Sequence, residues 1–589
     1  MRLVAAFLAV GLASAAVRTT GDLQRYHRVT LTFDGPASAE TADPNPFLHY
    51  RLSVTFEHGS GRRMTVPGFY AADGNAAESS ADRGNQWRVH FAPPEAGSWR
   101  WRASLRSGPY VALSMDPEAG APVALDQAEG ALAIAPAASG AIARGFLEHN
   151  GSHYLRYSGS GEYFLKGGAD SPENFLAYAD FDQTFDQDAD SGSYKKVGPF
   201  IHRYEAHVRD WNSGDPTWKG GKGKGIVGAL NYLASKGVNS VYFLTYNLDG
   251  GDGRDTWMWT SPDVRDRFDT SKLDQWEIVF SQMDRLGIML HVVTQETEND
   301  GRLGGGYSLN PVRQLYLREL AARFAHHPAL IWNLGEENDT PDSDRKAIAA
   351  YIRSLDAYAH PITVHTHNNR GLTTYLGLLG DAHFEATSIQ GSMRNYHREA
   401  VVLRKLSAAA GRKLVIFGDE QQPANKGVVP DADDPRHDEP RIHGLWGNLM
   451  GGGGGVEWYF GSNYPHMDIN CEDFRSRDVL WTQTRLALDF FRQRLKFWEM
   501  EPRDEMVSTG AAARVLVQGD QTIAVQLPAG GETRLLLPRA AYRIQWFNPR
   551  DGGPLAKGTV ETVQGPGERS IGLPPADTAD DWVALLEKQ

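Results

Sequence analysis

The sequence predicts three domains: a central (β/α)8 barrel, with a β-sandwich before it and a second β-sandwich after it. Three observations support this fold class. Apolar and polar residues alternate between about residues 22 and 140, strands alternate with helices over residues 150–500, and the alternating pattern returns over 503–589. Alternation with period two is typical of half-buried strands, whereas repeated strand–helix units favour a parallel sheet. A chain of 589 residues is also too long for one hydrophobic core.

The first 16 residues have the features of a signal peptide. A basic start at Met1-Arg2 is followed by an apolar stretch over residues 3–12 and by small residues at 13–16. This apolar stretch is too short to span a bilayer, and no later run is long enough. We therefore expect a bacterial protein that is exported to the periplasm or the medium, and we exclude residues 1–16 from the fold.

The overall charge and the cysteine content exclude several classes of protein. The chain carries 60 basic and 73 acidic residues, a formal net charge of −13. We expect no binding to nucleic acid or to an anionic membrane, because phosphate charges would be left uncompensated. Cys471 is the only cysteine, so the chain has no internal disulfide. The sequence does not indicate the oligomeric state.

The N-terminal sandwich is predicted from four short segments in which apolar residues alternate with polar ones. They cover residues 28–33, 50–56, 87–91 and 99–103, and a turn rich in proline and glycine lies over residues 93–97. Several short strands separated by turns are typical of a sandwich. The alanine-rich segment 131–143 is interpreted as the link to the next domain.

The central domain is predicted to contain eight strands with helices between them. One helix covers residues 225–236 and ends at Gly237, another carries Leu273 and Met283 on one face, and a third begins at the Asn310-Pro311 pair. An open doubly wound sheet is the alternative, but no glycine-rich phosphate loop follows the first strand. The predicted strands are 163–165, 238–244, 288–293, 329–332, 362–364, 386–389, 414–417 and 456–459.

The C-terminal sandwich is predicted from three further segments with alternating apolar residues, which are 513–517, 522–527 and 542–547. They follow the end of the strand–helix pattern.

Functional side chains in such a barrel collect just beyond the carboxyl ends of the strands. Two groups of acids lie there, Glu336-Glu337 after the fourth strand and Asp419-Glu420 after the seventh. Either group could instead be a solvated pair or a helix cap. A pair of carboxyl groups is what glycosidic cleavage requires. The candidate functional residues at the ends of the predicted strands are Lys166, Asp170, Asn247, Asp249, Gln295, Glu296, Glu336, Glu337, His365, His367, Gln390, Asp419, Glu420 and Trp458.

The segment Trp332-Asn333-Leu334-Gly335-Glu336-Glu337-Asn338 resembles the acid/base motif of the retaining (β/α)8 glycoside hydrolases. The resemblance implies that Glu337 is the acid/base, Glu420 the nucleophile and Trp458 the aromatic floor of the sugar site. Glu336 stands where that clan has an asparagine that binds the sugar 2-hydroxyl, which leaves open that Glu336 is the acid instead. The expected substrate-binding residues are Glu336, Asn247, Gln295, His365, His367, Gln390 and Trp458.

The order of the domains resembles bacterial proteins with a DUF5060-type N-terminal domain, an apiosidase-like (DUF4038-like) barrel and a C-terminal collagen-binding module. This resemblance implies a secreted retaining glycoside hydrolase that needs no cofactor or metal and acts on a polysaccharide or oligosaccharide. The alternative is a non-catalytic carbohydrate-binding or cell-surface adhesion protein, and a polysaccharide lyase is a third option. The distance between the two carboxyl groups distinguishes these classes.

Three weaker patterns are open to more than one interpretation. The alternating acids Asp186, Asp188 and Asp190 could hold Ca²⁺, but a solvated loop is favoured because the spacing of an EF-hand is missing. His365 and His367 lack a third ligand at a zinc-like spacing, which favours sugar binding. A third group of residues hints at a uronic or sulfated sugar and is equally consistent with surface salt bridges: Arg203, Arg209, Arg254, Arg265 and Arg302.

Overall fold

The computed structural model describes residues 17–186, 201–248, 250–251 and 253–589. The predicted signal peptide and Asp249 lie outside the described residues, and so does the acidic loop beyond Asp186. In the part of the chain that is described, no helix is long and apolar enough to cross a membrane.

The N-terminal region consists of two antiparallel sheets that enclose a hydrophobic core. Valine and phenylalanine side chains such as Phe33, Val54 and Phe91 fill the space between the sheets and are fully buried. The alanine-rich link is corrected at its start, where Glu129–Ile134 is a strand that pairs with Gly97–Arg102. The first sheet contains Val17–Gly21, Val29–Ala39, Arg83–Phe91 and Phe69–Tyr70; the second contains Arg63–Pro67, Tyr50–His58, Gly97–Ser107, Ala121–Pro122 and Glu129–Ile134.

The central region is built on eight parallel strands in one curled sheet. Consecutive strands pair with each other except the fifth and sixth, which are the two ends of the sheet, and the first strand pairs with the eighth. A further parallel bridge joins His365, just after the fifth strand, to Ser388, just before the sixth, so the two ends of the sheet meet. The strands are β1 Lys166–Ala169, β2 Ser240–Leu244, β3 Met289–Val293, β4 Leu330–Asn333, β5 Ile362–Thr363, β6 Ile389–Ser392, β7 Phe417–Gln422 and β8 Gly455–Trp458.

Each of the eight strands begins within three residues of the predicted first residue, and several begin later than predicted. The prediction follows apolar residues, whereas β1, β6 and β7 continue into polar residues that face the interior of the curled sheet. In β7, for example, the strand runs from Phe417 to Gln422, and Glu420, Gln421 and Gln422 pair with β6. Polar residues therefore enter the sheet itself, which places functional side chains on rigid backbone.

Helices cover the outer side of the parallel sheet. The predicted start at Asn310 is confirmed: its side chain accepts hydrogen bonds from the backbone N–H groups of Val312 and Arg313, which would otherwise have no partner in the helix. The α-helices of this region are Lys224–Ser235, Thr270–Leu286, Pro311–Phe324, Asp342–Leu355, Gly371–Leu376, Tyr396–Ala409, Trp446–Met450 and Asp478–Arg494.

The C-terminal region again consists of antiparallel strands, in sheets of six and three. Val515, Val525, Ile544 and Trp546 lie in its buried core. The six strands are Glu501–Pro502, Arg514–Gln518, Thr522–Leu527, Trp582–Lys588, Ala541–Phe547 and Thr562–Gln564; the three are Val507–Gly510, Thr533–Leu537 and Gly567–Ser570.

A buried ion pair joins the central region to the C-terminal sheets. Arg441 donates from Nη2 to Asp581 Oδ1 at 2.8 Å and from Nε to Oδ2 at 3.1 Å, and both side chains are 1% exposed. Such a two-pronged pair fixes the orientation of both partners. Removing the carboxylate of Asp581 leaves the buried guanidinium of Arg441 with one carboxylate partner, the half-exposed Asp438 at 2.6 Å, and this loss of a buried counter-ion is destabilising.

We expect Asp581→Asn to lower the free energy of unfolding of the full chain by about 3 kcal/mol. Urea unfolding followed by tryptophan fluorescence measures this loss. Asp520→Asn is the matched control, because Asp520 forms an exposed ion pair with Lys588 in the same region and should change stability little. Equal effects of the two variants would contradict a special role for the buried pair.

Candidate active site

The loop after β4 presents Glu336 and Glu337 at the carboxyl end of the sheet. Gly335 has a φ of +134°, and a Cβ there would lie 2.7 Å from Gln295 Nε2, so only glycine fits without displacing that side chain. Glu337 has a φ of +40°, a left-handed conformation that residues with a side chain rarely adopt. The chain reverses direction here, so that neighbouring glutamates face different surroundings.

A single amide group connects the two predicted catalytic glutamates. Gln390 donates from Nε2 to Glu337 Oε1 at 2.9 Å, and the same nitrogen donates to Glu420 Oε2. Two oxygen atoms that both accept a hydrogen bond from one nitrogen lie at most about 6 Å apart. The structure therefore brings together Glu337 from the loop after β4, Gln390 from β6 and Glu420 from β7.

Beneath this pair lies a buried group of three ionisable side chains. His365 Nδ1 is 3.2 Å from Glu336 Oε2, and His365 Nε2 is 3.4 Å from Glu420 Oε2. The hydroxyl of Tyr242 is 2.9 Å from Nδ1 of the same ring. Glu336 and Glu420 are 1% and 2% exposed, so both carboxyl groups are nearly removed from water. His365 thus forms a bridge between Glu336 of the first acidic group and Glu420 of the second.

The pKa values in this group follow from burial and from the neighbouring charges. Burial lowers the pKa of His365, but the carboxylates of Glu336 and Glu420 outweigh it and hold that pKa well above its usual range. Burial raises the pKa of Glu336, although His365 opposes this effect. Burial and the carboxylates of Glu336 and Glu420 raise the pKa of Asp170 well above its usual range. Both shifts favour the protonated form, which is the cation for the imidazole of His365 and the neutral acid for the carboxyl of Asp170.

Glu337 has a more open setting than its neighbour, with 34% of its side chain exposed. Burial raises its pKa, but hydrogen bonds from His367 and Gln390 outweigh burial, and the net pKa lies below the usual value. His367 Nδ1 is 3.4 Å from Glu337 Oε2, and the contact with Glu337 raises the pKa of His367. The two shifts favour a protonated His367 beside an ionised Glu337.

A second buried charge network lies deeper in the sheet. Lys166 Nζ is 2.5 Å from Asp419 Oδ1 and 3.0 Å from Glu457 Oε2, and His291 Nδ1 is 2.7 Å from the same Glu457 oxygen. All four side chains are 0% exposed. Lys166 and Asp419 are therefore part of the interior and do not line the site.

Two of the predicted sugar ligands support the site from behind. Gln295 donates from Nε2 to Asp300 Oδ1 at 2.7 Å and to the carbonyl oxygen of Leu334 at 3.1 Å, so it holds the loop after β4. Asn247 is fully buried and accepts a hydrogen bond from Asn299 at 3.1 Å. Both side chains are buried, and their amide groups contact other parts of the protein.

The prediction for Trp458 is wrong. Side chains on a strand alternate between its two faces, and in β8 it is Glu457 that faces the interior. Trp458 faces the surrounding helices, where its Nε1 donates to Thr484 Oγ1 at 2.9 Å and the side chain is 0% exposed. It cannot form the floor of a sugar site.

Two tyrosines contribute to the site although the sequence did not indicate them. Tyr242 lies in the middle of an apolar strand, a position that indicates a core residue, but its hydroxyl lies within hydrogen-bonding distance of His365. Tyr396 begins a helix and donates to the backbone oxygen of Glu420 at 2.6 Å. Alternation along β2 could have indicated Tyr242, because it places this side chain on the face opposite to Phe243.

Three buried groups among the described residues have ligand atoms close enough to hold a metal ion. In the group of His291, Asp419 and Glu457, the ammonium of Lys166 already lies against both carboxyl groups. The group of Glu336, His365 and Glu420 contains an imidazole with a strongly raised pKa, whereas a metal needs the neutral ring. The third group consists of Glu277, His326 and His327 and lies at the N-terminal sheets.

The sequence suggested that Arg265, among other arginines, could bind an anionic sugar, but its contacts in the structure are with the protein itself. Its guanidinium donates to the carbonyl oxygens of Pro262 and Val264 and lies 4.7 Å from the ring centre of Trp259. The immediate surroundings of Glu337 and Glu420 are instead rich in acids and histidines.

Comparison with known proteins supports the fold and part of the domain order. A family model described as a domain of unknown function, DUF5060, matches residues 22–106. No curated protein sequence matches this chain. The apiosidase-like barrel and the collagen-binding module stay predictions.

Solved structures resemble the chain over most of its length. A candidate glycoside hydrolase from Bacteroides vulgatus ATCC 8482 aligns with 17% identity over 96% of this chain and 99% of that one, with a TM-score of 0.66. A glycoside hydrolase of family 5 from the same organism gives 14% identity over 75% and 92%, with a TM-score of 0.51. A third structure, described only as a glycoside hydrolase, gives 13% over 77% and 99%, with a TM-score of 0.52. The chain thus shares the fold of glycoside hydrolases.

Proposed function

We propose that this protein is a retaining glycoside hydrolase with Glu420 as nucleophile and Glu337 as acid/base. The observation that carries the proposal is the shared contact with Gln390, which limits the separation of the two carboxylate oxygens to about 6 Å. Retaining enzymes hold the two groups about 5–5.5 Å apart, and inverting enzymes about 6.5–9.5 Å apart. The non-catalytic alternative has no specific observation in its favour.

The proposed reaction has two steps. A carboxylate oxygen of Glu420 attacks the anomeric carbon and forms an ester bond, while the bond to the leaving oxygen breaks and that oxygen takes the proton of Glu337. Water then gives a proton to Glu337 and attacks the same carbon, which frees the Glu420 carboxylate. The charged His365 beside Glu420 favours the ionised nucleophile.

Solvent exposure favours Glu337 over Glu336 as the acid, because the acid has to reach the substrate. Glu337 is one-third exposed, whereas Glu336 is 1% exposed and held at His365. An acid must hold its proton when the bond breaks, and the resting pKa of Glu337 is low. A bound sugar would cover the exposed part of Glu337, and this added burial raises its pKa. The proton then moves from His367 to Glu337.

We further propose a closed (β/α)8 barrel, since the bridge between His365 and Ser388 joins the two ends of the sheet. The sequence features of residues 1–16 support export from a bacterial cell. The substrate class proposed here is a polysaccharide or oligosaccharide, and the mechanism needs no cofactor. The C-terminal sheets and the identity of the sugar do not enter the mechanism.

We expect the first-formed product to keep the anomeric configuration of the substrate. Purified enzyme is screened for released reducing sugar against plant, algal and bacterial polysaccharides, and hydrolysis of the best one is followed by proton NMR within the first minutes. The reaction is run in D₂O, and the variant Glu420→Ala under the same conditions serves as the blank. An inverted first product would overturn the retaining mechanism, and the absence of hydrolysis across the panel would count against the enzyme.

A further inference from the structure

The outer face of the second N-terminal sheet forms the floor of an open groove of about 1120 Å³. Side chains alternate between the two faces of a strand, and most of the residues that three neighbouring strands place on this outer face are polar. In one row Arg63, Glu57 and Arg100 lie side by side, and in the next row Thr65, Thr55 and Arg102 do so. We call this feature the arginine groove.

Two helices of the central region form one wall of the arginine groove. Arg318 comes from Pro311–Phe324, and Ser354 and Leu355 come from Asp342–Leu355. Arg318 donates to the carbonyl oxygens of Gly68 and Leu52, at 3.3 and 3.2 Å. The groove therefore exists only when both regions are present, and its shape is held by their contact.

The arginine groove is positively charged although the chain as a whole carries −13. The residues that line it include five arginines and two glutamates. The two glutamates, Glu57 and Glu129, form exposed ion pairs with Arg100 at 3.8 Å and Arg102 at 3.2 Å. Exposed pairs of this kind contribute little and exchange partners easily. A ligand anion can therefore replace a glutamate beside either arginine.

The buried part of the floor also has excess positive charge. Arg51 is 8% exposed, and its guanidinium donates to the carbonyl oxygens of Ser114, Asp116 and Pro117 at 2.6–2.7 Å. Burial lowers the pKa of Arg51, and the charges of Arg318 and Arg106 lower it further. Carbonyl oxygens satisfy the N–H donors of Arg51 without cancelling its charge, so the floor attracts anions.

We propose that the arginine groove is a binding site for an anionic polysaccharide, one that carries carboxylate or sulfate groups. The exposed guanidinium groups of Arg63, Arg100 and Arg102 would each pair with an acidic group of the polymer. The hydroxyl groups of Thr55 and Thr65 lie in the row of Arg102, those of Ser53 and Ser104 lie in the next row, and all four match the hydroxyl groups of a sugar chain. The site is separate from Glu337 and Glu420, whose surroundings are acidic, and it gives the DUF5060-like region a role in holding substrate.

The test compares two polymers that differ only in charge, dextran sulfate and unmodified dextran. Affinity electrophoresis and isothermal titration with the full chain measure binding to each polymer. The triple variant R63Q/R100Q/R102Q removes the exposed charges of the groove. The matched control R534Q/R543Q/R569Q removes three exposed arginines from the C-terminal sheets and gives the same net charge.

We expect wild type and the control variant to bind dextran sulfate with similar affinity, and the groove variant to bind at least about tenfold more weakly. Binding by the wild type should also fall as salt increases, because exposed charges are screened. Circular dichroism verifies that each variant is folded. Equal binding of both polymers, equal loss in both triple variants, or undiminished binding by the groove variant would each overturn the proposal.

Discussion

Glu420→Ala should reduce turnover by about 10⁴-fold or more, because no other group can form the covalent bond to the anomeric carbon. Glu420 is 2% exposed and its oxygens meet Gln390 and His365, so alanine leaves a small polar cavity. Rates are measured with a nitrophenyl glycoside of the sugar found in the polysaccharide screen. The exposed Glu439→Ala is the matched control and should turn over normally.

An external nucleophile makes this test specific. Azide fits the cavity of the alanine variant and attacks the anomeric carbon from the side of Glu420, so the glycosyl azide should have the inverted configuration. No such product should form with the Glu439→Ala control. If Glu420→Ala kept the wild-type rate, Glu420 would not be the nucleophile.

Glu337→Ala should slow cleavage of the natural polysaccharide by about 10²–10⁴-fold. A sugar alkoxide is a poor leaving group without a proton, whereas nitrophenolate leaves unaided. The loss in the first step should therefore be much smaller with the nitrophenyl glycoside. The fall in rate at alkaline pH, where wild type loses the acid's proton, should disappear in the variant.

Glu336→Gln is the control that settles the choice between neighbours. Glu336 holds His365 at 3.2 Å, so its loss should weaken catalysis for both leaving groups alike. Azide with Glu337→Ala should yield a product of retained configuration, since the covalent intermediate with Glu420 still forms. If Glu336→Gln showed the leaving-group dependence and azide rescue instead, Glu336 would be the acid.

The sequence alone indicated a candidate site because apolar strands that end in acids can be recognised without a structure. Glu337 and Glu420 were predicted from that pattern and a resemblance, and the structure brings both to Gln390. The helix start at Asn310 was likewise readable, since a cap and a proline act locally.

The sequence could not show which way each side chain of a short strand points. In β8 the sequence indicated that Trp458 faces the sugar site, but Glu457 faces the interior of the sheet and Trp458 faces the helices. Which residues of a short strand face inward depends on where its pairing begins. The bridge from Tyr242 through His365 joins residues 123 positions apart, and no local pattern encodes it. The sequence also could not show that charged residues such as Lys166 are buried, because only the fold brings their ion-pair partners to them.

The left-handed backbone at Glu337 has a consequence for engineering. A residue with a side chain pays a conformational penalty of about 1 kcal/mol or more in this geometry, which glycine avoids. Selection for heat resistance alone would therefore favour glycine at the position where the chemistry needs a carboxyl group. A thermostable variant of this protein has to be screened for both properties together, with position 337 held fixed.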